Sequence, residues 1–197
     1  MDTLLKEQMN FLIEIDKLKT IERKTKIMHG SRLENDAEHS WHLAMMALIL
    51  QNNSNNKIDL LKVIKMILIH DLVEIDAGDT FAYDSTGQID KYDREVQAAK
   101  RLFGMLPAEQ EQELMDLWIE FENKETDEAK FASSLDRLQP LIHNHNNQGD
   151  TWQKYNITSE QVFNRNKEIA NGSNDLWEYA QSIINNSVEQ GILSKPL

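Results

Sequence analysis

The chain has 197 residues, 40% of them hydrophobic and 27% charged, a balance typical of a globular protein with its own buried core. It contains no cysteine, which excludes disulfides and thiolate sites, and only 7 glycines and 3 prolines, which disfavours a turn-rich β fold. The formal net charge of −12 disfavours binding of a nucleic-acid polymer, but a local cation would still admit a small phosphorylated substrate.

The N-terminal segment MDTLLKEQMN lacks the apolar core of a signal peptide, and no apolar run is long enough to span a membrane. The lack of cysteine fits a reducing compartment. We therefore expect a cytoplasmic protein that does not bind membranes.

Apolar residues recur at helical spacing along most of the chain, without strand-like alternation or an internal repeat. An amphipathic segment covers the first twenty residues, and a polar stretch, ERKTKIMHGSRLEN, follows it. Further helices are predicted from Asn35, where Glu38 completes a capping box, and from Asp59.

The second half continues the helical pattern. An amphipathic segment begins near residue 90, and Pro140 is expected to kink a later helix. The other start signals are Pro107, Thr126, Thr158 and Ser173, and Gly172 and Gly191 are predicted stops. We predict one all-α domain, residues 1–197, built from about eight helices.

The sequence narrows the possible catalytic chemistry. Neither a Gly-x-Ser-x-Gly elbow nor a glycine-rich phosphate loop occurs, and there is no thiol nucleophile. A water activated by a divalent metal is the remaining option, with histidine and carboxylate ligands. The zincin motif and the paired Glu-x-x-His motifs of di-iron bundles are both absent.

Two of the six histidines lie where burial is expected. His39 follows a helix start in NDAEHSWHLAMMA, and His70 ends the apolar run VIKMILIH. A buried His70 beside Asp71 is costly unless the pair is ligated or hydrogen-bonded. Glu74 can face the same cleft, although adjacent residues of a regular helix diverge by about 100°.

The other acidic residues can have either a functional role or a simple role as solvated surface residues. Asp136 lies among apolar residues in FASSLDRLQPLI and is either a solvated residue or a buried functional carboxylate. The acids of PAEQEQELMD and EFENKETDE are interpreted as solvated helix faces, and Asp76 has no assigned role.

The segments ENDAEHSWHLA, IHDLVEIDAGDT and LDRLQPL resemble, in this order, the HD-domain metal-dependent phosphohydrolases. The resemblance is closest to the YfbR-like branch of 5′-deoxynucleotidases and related HD-domain proteins, and it covers about residues 10–190. It implies an HD-domain helical bundle that binds one divalent ion, which could be Mn, Fe, Co, Ni, Zn or Mg. The implied metal ligands are His39, His70, Asp71 and Asp136.

The resemblance also implies roles around the metal. Glu74 and Asp79 match the catalytic acids of the family, and Arg23, Asp79 and Thr80 match its substrate-binding residues. This chain departs from the family at Lys24 and Thr25, where an aromatic residue often follows the arginine, and at FAYD, where relatives often have a proline-rich turn.

The expected activity is removal of phosphate from a (deoxy)nucleoside 5′-monophosphate by a metal-activated water. One alternative is another HD-type hydrolase that acts on a nucleoside triphosphate, a cyclic nucleotide or an alarmone. Another is a non-catalytic acidic helical module that binds a protein partner. Relatives usually form homodimers, and Trp118, Trp152 and Trp177 are interpreted either as an apolar contact or, for at least two of them, as core residues.

Overall fold

Helices and one β-hairpin make up the computed structural model, which describes residues 3–196. The hairpin strands are β1 (Glu22–Lys26) and β2 (Leu33–Asn35). The longer helices are α1 (Thr3–Ile15), α2 (Asp36–Leu50), α3 (Leu60–Ile69), α5 (Lys91–Phe103), α6 (Ala108–Asn123), α7 (Asp127–Asn146), α9 (Ser159–Asn166) and α11 (Asn174–Glu189). Short helices are α4 (Glu74–Ala77), α8 (Asp150–Lys154) and α10 (Ile169–Gly172), and 3-10 turns cover Asp16–Thr20 and Gln51–Asn53.

The predicted all-α class is confirmed, and the eight longer helices of residues 3–196 match the predicted number. Most helix starts follow the local signals: Asn35 and Glu38 form the capping box of α2, and Asp59 caps α3. Three further predicted N-caps are confirmed as well, at Thr126, Thr158 and Ser173. The segment predicted as one helix up to Gly172 is interrupted after Asn166, so it forms α9 and α10.

The β-hairpin was not predicted. Its strands pair antiparallel, with Glu22 opposite Asn35 and Lys26 opposite Leu33. Side chains of the later helices bond to its backbone: Thr151 donates to the Lys24 carbonyl at 3.1 Å, and His143 Nδ1 lies 3.1 Å from the Lys26 carbonyl. These tertiary contacts stabilise β1, whose polar sequence lacks the alternation of apolar residues that would predict a strand.

Helix α7 lies at the centre of the bundle, packed against α2, α3, α6, α10 and α11. Its buried face includes Phe131, Leu135 and Leu138. Helix α7 continues through Pro140 to Asn146. This central helix therefore positions Asp136 against residues from α2 and from the end of α3.

Two of the three tryptophans considered above are core residues. Trp118 and Trp152 are buried, whereas Trp177 is partly buried and packs edge-on against Phe163. Within residues 3–196, no helix combines the length and the apolar character that crossing a membrane requires.

Candidate metal centre and pocket

Side chains of three helical segments converge on one point. His39 of α2 places Nε2 3.0 Å from Oδ1 of Asp136 on α7. His70 Nε2 lies 3.8 Å from that same Asp136 oxygen and 3.1 Å from Asp71 Oδ1. The second oxygen of Asp71 lies 4.0 Å from His39 Nε2. The structure thus brings together all four residues that the resemblance implied as ligands.

The neighbouring residues His70 and Asp71 face the same point from the end of α3, with His70 Nε2 3.1 Å from Asp71 Oδ1. Helix α3 ends at Ile69, and residues 70–73 form a turn before α4 begins at Glu74. The two side chains thus meet despite the divergence expected for adjacent residues of a regular helix. The His70 ring is further held by its Nδ1, which lies 2.7 Å from the Ile67 carbonyl and is placed to donate to it.

The donor set fits a divalent ion. His70 Nε2 is buried and has no hydrogen-bond partner, as expected for a nitrogen whose lone pair is free for a metal. Two imidazoles and two carboxylates suit borderline divalent ions. His39, His70 and Asp136 each offer an atom within 4.8 Å of the others, and Asp71 contacts both histidines.

Burial and charge perturb the titration of these groups in the metal-free protein. Burial lowers the pKa of His39 to about 4, with Arg23 adding to the effect. Burial also opposes protonation of His70, but Asp71 and Asp136 outweigh it and raise its pKa to about 9. Burial would raise the pKa of Asp136, yet the hydrogen bond with His39 and the nearby His70 imidazole hold that pKa well below its usual value. The cluster therefore holds Asp136 as a carboxylate, the form that binds a metal.

Glu74 and Asp79 lie beside the four converging residues, together with a third acid, Asp36. One oxygen of each lies within 4.8 Å of the others. Burial, followed by Asp71 and Asp36, raises the pKa of Glu74 well above its usual value. The pKa of Asp79 is raised mainly by burial, which Arg23 partly offsets. The sequence had indicated Glu74 and Asp79 but not Asp36.

Arg23 of β1 joins this acidic group to the hairpin. Its Nη1 donates to Asp71 Oδ2 at 2.9 Å and to Asp36 Oδ1 at 3.1 Å. Burial would lower the pKa of Arg23, but the surrounding carboxylates, first Asp71 and then Asp79, raise it well above its usual value. Arg23 is therefore a fixed cation at the edge of the candidate metal site.

A pocket opens over these residues. Its walls include Phe81, Tyr83 and Trp152. Thr80 also lines the pocket, and its hydroxyl accepts a hydrogen bond from Arg94 Nη2 at 3.3 Å. The basic side chains that line it are Arg23, Lys24, Lys91, Arg137 and Arg165. Four acids, Asp71, Glu74, Asp79 and Asp136, line the pocket as well. The five basic side chains can still attract an anionic ligand, although the chain carries a formal charge of −12.

The family model described as HD domain matches residues 15–177 of the chain. This chain belongs to the HD domain family.

Three relatives show how close the likeness is. A solved structure from Magnetospirillum magnetotacticum MS-1, described as a predicted metal-dependent phosphohydrolase, is 47% identical with a TM-score of 0.93. That comparison covers 98% of this chain and 96% of the other. The 5′-deoxynucleotidase HDDC2 of Dictyostelium discoideum is 33% identical, over 64% of this chain and 70% of that protein. The human 5′-deoxynucleotidase HDDC2 is 29% identical, over 68% of this chain and 65% of that protein.

Several residues of this HD domain site were not singled out from the sequence. Glu34, in β2, and Asp36, the first residue of α2, are almost fully buried, although acids on either side of a helix N-cap are usually solvated. Arg137 and Arg165 face the pocket from the helical second half. The segment ENDAEH, with three acids before one histidine, was the available signal for the first two.

Asp76 lies outside the site. It forms an ion pair with Arg101 of α5, which also contacts Glu14 at 3.0 Å. This pair links α4 to α5 and α1, so Asp76 has a structural contact rather than a place in the pocket.

Proposed function

We propose that this HD domain protein is a metal-dependent phosphohydrolase that removes phosphate from a deoxynucleoside 5′-monophosphate. The observation that carries the proposal is the convergence of His39, His70, Asp71 and Asp136 beside a pocket lined by five basic side chains. The names of the relatives from Dictyostelium and human support the substrate class.

The four converging residues would hold one divalent ion. Their nitrogen and oxygen donors admit Mn, Fe, Co, Ni, Zn or Mg. The chemistry that such an ion supplies is polarisation of a phosphate oxygen and a lower pKa for water, from 15.7 toward about 7 in favourable cases.

Arg23 is proposed to bind the phosphate of the substrate. Its guanidinium carries a forked set of donors that matches phosphate oxygens, and it already lies beside Asp71. Lys24 and Lys91 line the same pocket and would add positive charge along the path of an incoming anion. Fixed donors of this kind stabilise charge that develops during phosphoryl transfer.

Glu74 and Asp79 are proposed to move protons. Burial raises the pKa of Glu74 well above its usual value, and a carboxyl that accepts a proton more readily suits the role of proton shuttle behind the metal ligands. Asp79 follows Gly78, which turns the chain with a φ of 75°, and it lines the pocket directly. Asp79 is therefore the acid proposed to contact the substrate and to protonate the departing 5′ oxygen.

The pocket walls suggest how the nucleoside would lie. The Phe81 ring is 5.4 Å from the Tyr83 ring and 4.6 Å from the Tyr155 ring, centroid to centroid. Such an aromatic wall can stack against a base. Thr80, Lys24 and Thr25 line the same pocket and are proposed to contact the sugar and phosphate.

We infer that two copies pair through α2. Four large apolar side chains lie at helical spacing on its exposed face: Trp41, Met45, Leu48 and Ile49. Trp41 is 65% exposed and Ile49 is 73% exposed, whereas Trp118 and Trp152 are core residues. A contiguous apolar face of this kind is typical of a protein interface. We propose that the chain acts in this form, as one domain, in the cytoplasm.

The activity can be tested with a panel of nucleotides and the purified, metal-loaded protein. We expect inorganic phosphate to be released from deoxynucleoside 5′-monophosphates faster than from ribonucleoside 5′-monophosphates, and a chelator to stop the release. Nucleoside triphosphates and cyclic nucleotides serve as comparison substrates. Release of pyrophosphate or triphosphate, or of a monophosphate from a cyclic nucleotide, would replace the proposal with another HD-type reaction.

A further inference from the structure

A second group of metal-ligating side chains lies farther along the same two helices, about one turn on α2 and about two turns on α7. His42 follows His39 by three residues on α2, and His143 lies beyond Asp136 on α7. Glu34 joins them from β2. The three residues each offer one ligand atom within 4.8 Å of the others. None of the three belongs to the ligand set of the first site.

The spacing of these atoms is close to that of a metal site. His42 Nδ1 lies 3.4 Å from His143 Nε2, and Glu34 Oε1 lies 3.9 Å from the same His143 nitrogen. Ligand atoms bound tetrahedrally to Zn²⁺ at about 2.0–2.1 Å are separated by roughly 3.3 Å. A shift of roughly 0.6 Å would bring Glu34 Oε1 to that distance from His143 Nε2.

The His143 ring is oriented as metal-bound histidines usually are. Its Nδ1 faces the Lys26 carbonyl at 3.1 Å, so this nitrogen is placed to donate, and Nε2 is left with a lone pair toward the cluster. A neutral imidazole with an outer hydrogen bond is the form that binds a metal.

Gln139 provides a separate indication that a cation fits here. Its Nε2 lies between the three ligand atoms, 2.6 Å from Glu34 Oε1, 3.0 Å from His143 Nε2 and 3.4 Å from His42 Nδ1. Gln139 is fully buried, yet its Oε1 has no hydrogen-bond partner. Rotating the amide by half a turn would direct that oxygen toward the centre as a fourth ligand.

We propose that Glu34, His42 and His143, with Gln139 Oε1, bind a second divalent transition-metal ion of the zinc type. The site is enclosed by protein ligands, which is typical of a structural rather than a catalytic ion. Metal binding at this second site does not require the protein to hydrolyse nucleotides. The second site is therefore independent of the function proposed above.

The two carboxylate oxygens of Glu34 face the two candidate metal sites, one oxygen to each site. While Oε1 faces the second cluster, Oε2 lies 3.7 Å from His39 Nδ1 and 3.9 Å from Arg23 Nε. These three atoms are buried and have no other hydrogen-bond partner. An ion bound to Oε1 would fix the carboxylate and so position His39 and Arg23. Glu34 is thus a positioning residue shared by the two sites.

Metal stoichiometry tests the second site directly. The full-length protein is stripped with a chelator, dialysed against Zn²⁺ and analysed for zinc per chain. We expect two equivalents for the wild type and one for Asp71→Asn, which damages only the first site. His42→Ala should also bind one equivalent, and Asp71→Asn combined with His42→Ala should bind none.

His29→Asn is the matched control, because it removes an exposed imidazole from outside both clusters and should retain two equivalents. His42 is only partly buried, and circular dichroism would verify that its variant keeps the helical fold. His143→Gln provides a second variant with the same expected stoichiometry. A wild type with one equivalent, an Asp71→Asn protein with none, or a His42→Ala protein with two would overturn the proposal. These readouts do not depend on whether the protein hydrolyses nucleotides.

Discussion

His39 Nε2 lies 3.0 Å from Asp136 Oδ1, although 97 residues separate the two along the chain. Contact between them requires α2 to pack against α7 in one register, and the rest of the bundle fixes that packing. The geometry of the candidate metal site therefore depends on the whole fold. Single substitutions can test individual residues of the site while the fold is retained.

Asp71→Asn tests the first metal site. The amide has nearly the same shape but no charge, and it should bind a metal far more weakly than the carboxylate. We expect the variant to bind one equivalent of metal fewer than the wild type and to lose phosphatase activity, with its helicity unchanged. Asp116→Asn, on the exposed face of α6, is the control for loss of one charge. A fully active Asp71→Asn protein would disprove the proposed centre.

Glu74→Gln tests the proton shuttle. The amide cannot take up and release a proton, so turnover should fall by ~10²–10⁴, the usual contribution of a general acid or base. Metal content should stay at the wild-type value, since Glu74 lies behind the ligands. Glu109→Gln, on the exposed first turn of α6, is the comparison variant. Unchanged turnover in Glu74→Gln would remove this residue from the mechanism.

Arg23→Lys tests the phosphate contact while retaining the charge that Asp36 and Asp71 require. A lysine cannot reproduce the guanidinium fork, so kcat/KM should fall by roughly 10²–10³, as for loss of one positioned donor. Inhibition by inorganic phosphate should weaken in parallel. Arg32→Lys makes the same change at an exposed arginine that pairs with Glu38, and it should leave both values unaltered. Equal losses in the two variants would show that the effect does not come from a specific phosphate contact of Arg23.

Tyr83 should give the protein a distinct alkaline transition. Burial raises the pKa of Tyr83 to about 12, so between pH 10 and 12 the folded state retains a proton that the unfolded state has lost. The stability that this proton contributes is complete below pH 10 and disappears as the pH rises through 12. Tyr83→Phe should therefore lose less stability than the wild type over that interval.

Absorbance of phenolate and chemical denaturation at several pH values would measure this effect. Tyr179→Phe, which removes a phenol from the exposed face of α11, is the control. If the alkaline loss of stability is the same in Tyr83→Phe and the wild type, Tyr83 does not cause it.

Trp41→Glu together with Ile49→Lys tests the proposed dimer. A charge on the apolar face of α2 would have to be desolvated on pairing, so the mass measured by light scattering should fall to that of one chain. Because both side chains are exposed, folding stability should change little. Ile89→Glu changes another highly exposed apolar residue, outside α2, and should leave the mass unaltered. A wild type that is monomeric at all concentrations would refute the interface.

Local signals in the sequence predicted much of the helical framework. The capping side chains at Asn35, Asp59, Thr126, Thr158 and Ser173 act within three residues, so their effect can be seen without knowledge of the fold. The order of the motifs carried the resemblance to the HD-domain phosphohydrolases, and through it the four converging residues.

What the sequence did not show depends on distant contacts. The β-hairpin has no apolar alternation and is held by residues such as Thr151 and His143, more than a hundred positions away. The burial of Glu34 and Asp36 depends on Arg23 and Gln139, which lie on other elements. The exposure of Trp41 is also a tertiary property, because helical spacing alone does not distinguish a core face from an interface.

The chain positions that converge at the first site have a mechanical consequence. Residues 39, 70 and 71, and 136 come from widely separated segments, so a bound ion would cross-link three parts of the bundle at once. Ions that bind only the native state stabilise it by about 2.7 kcal/mol when their concentration is a hundred times the dissociation constant. The metal would then stabilise the fold in addition to its part in catalysis. Its loss would weaken the packing of α2 against α7 even in the absence of substrate.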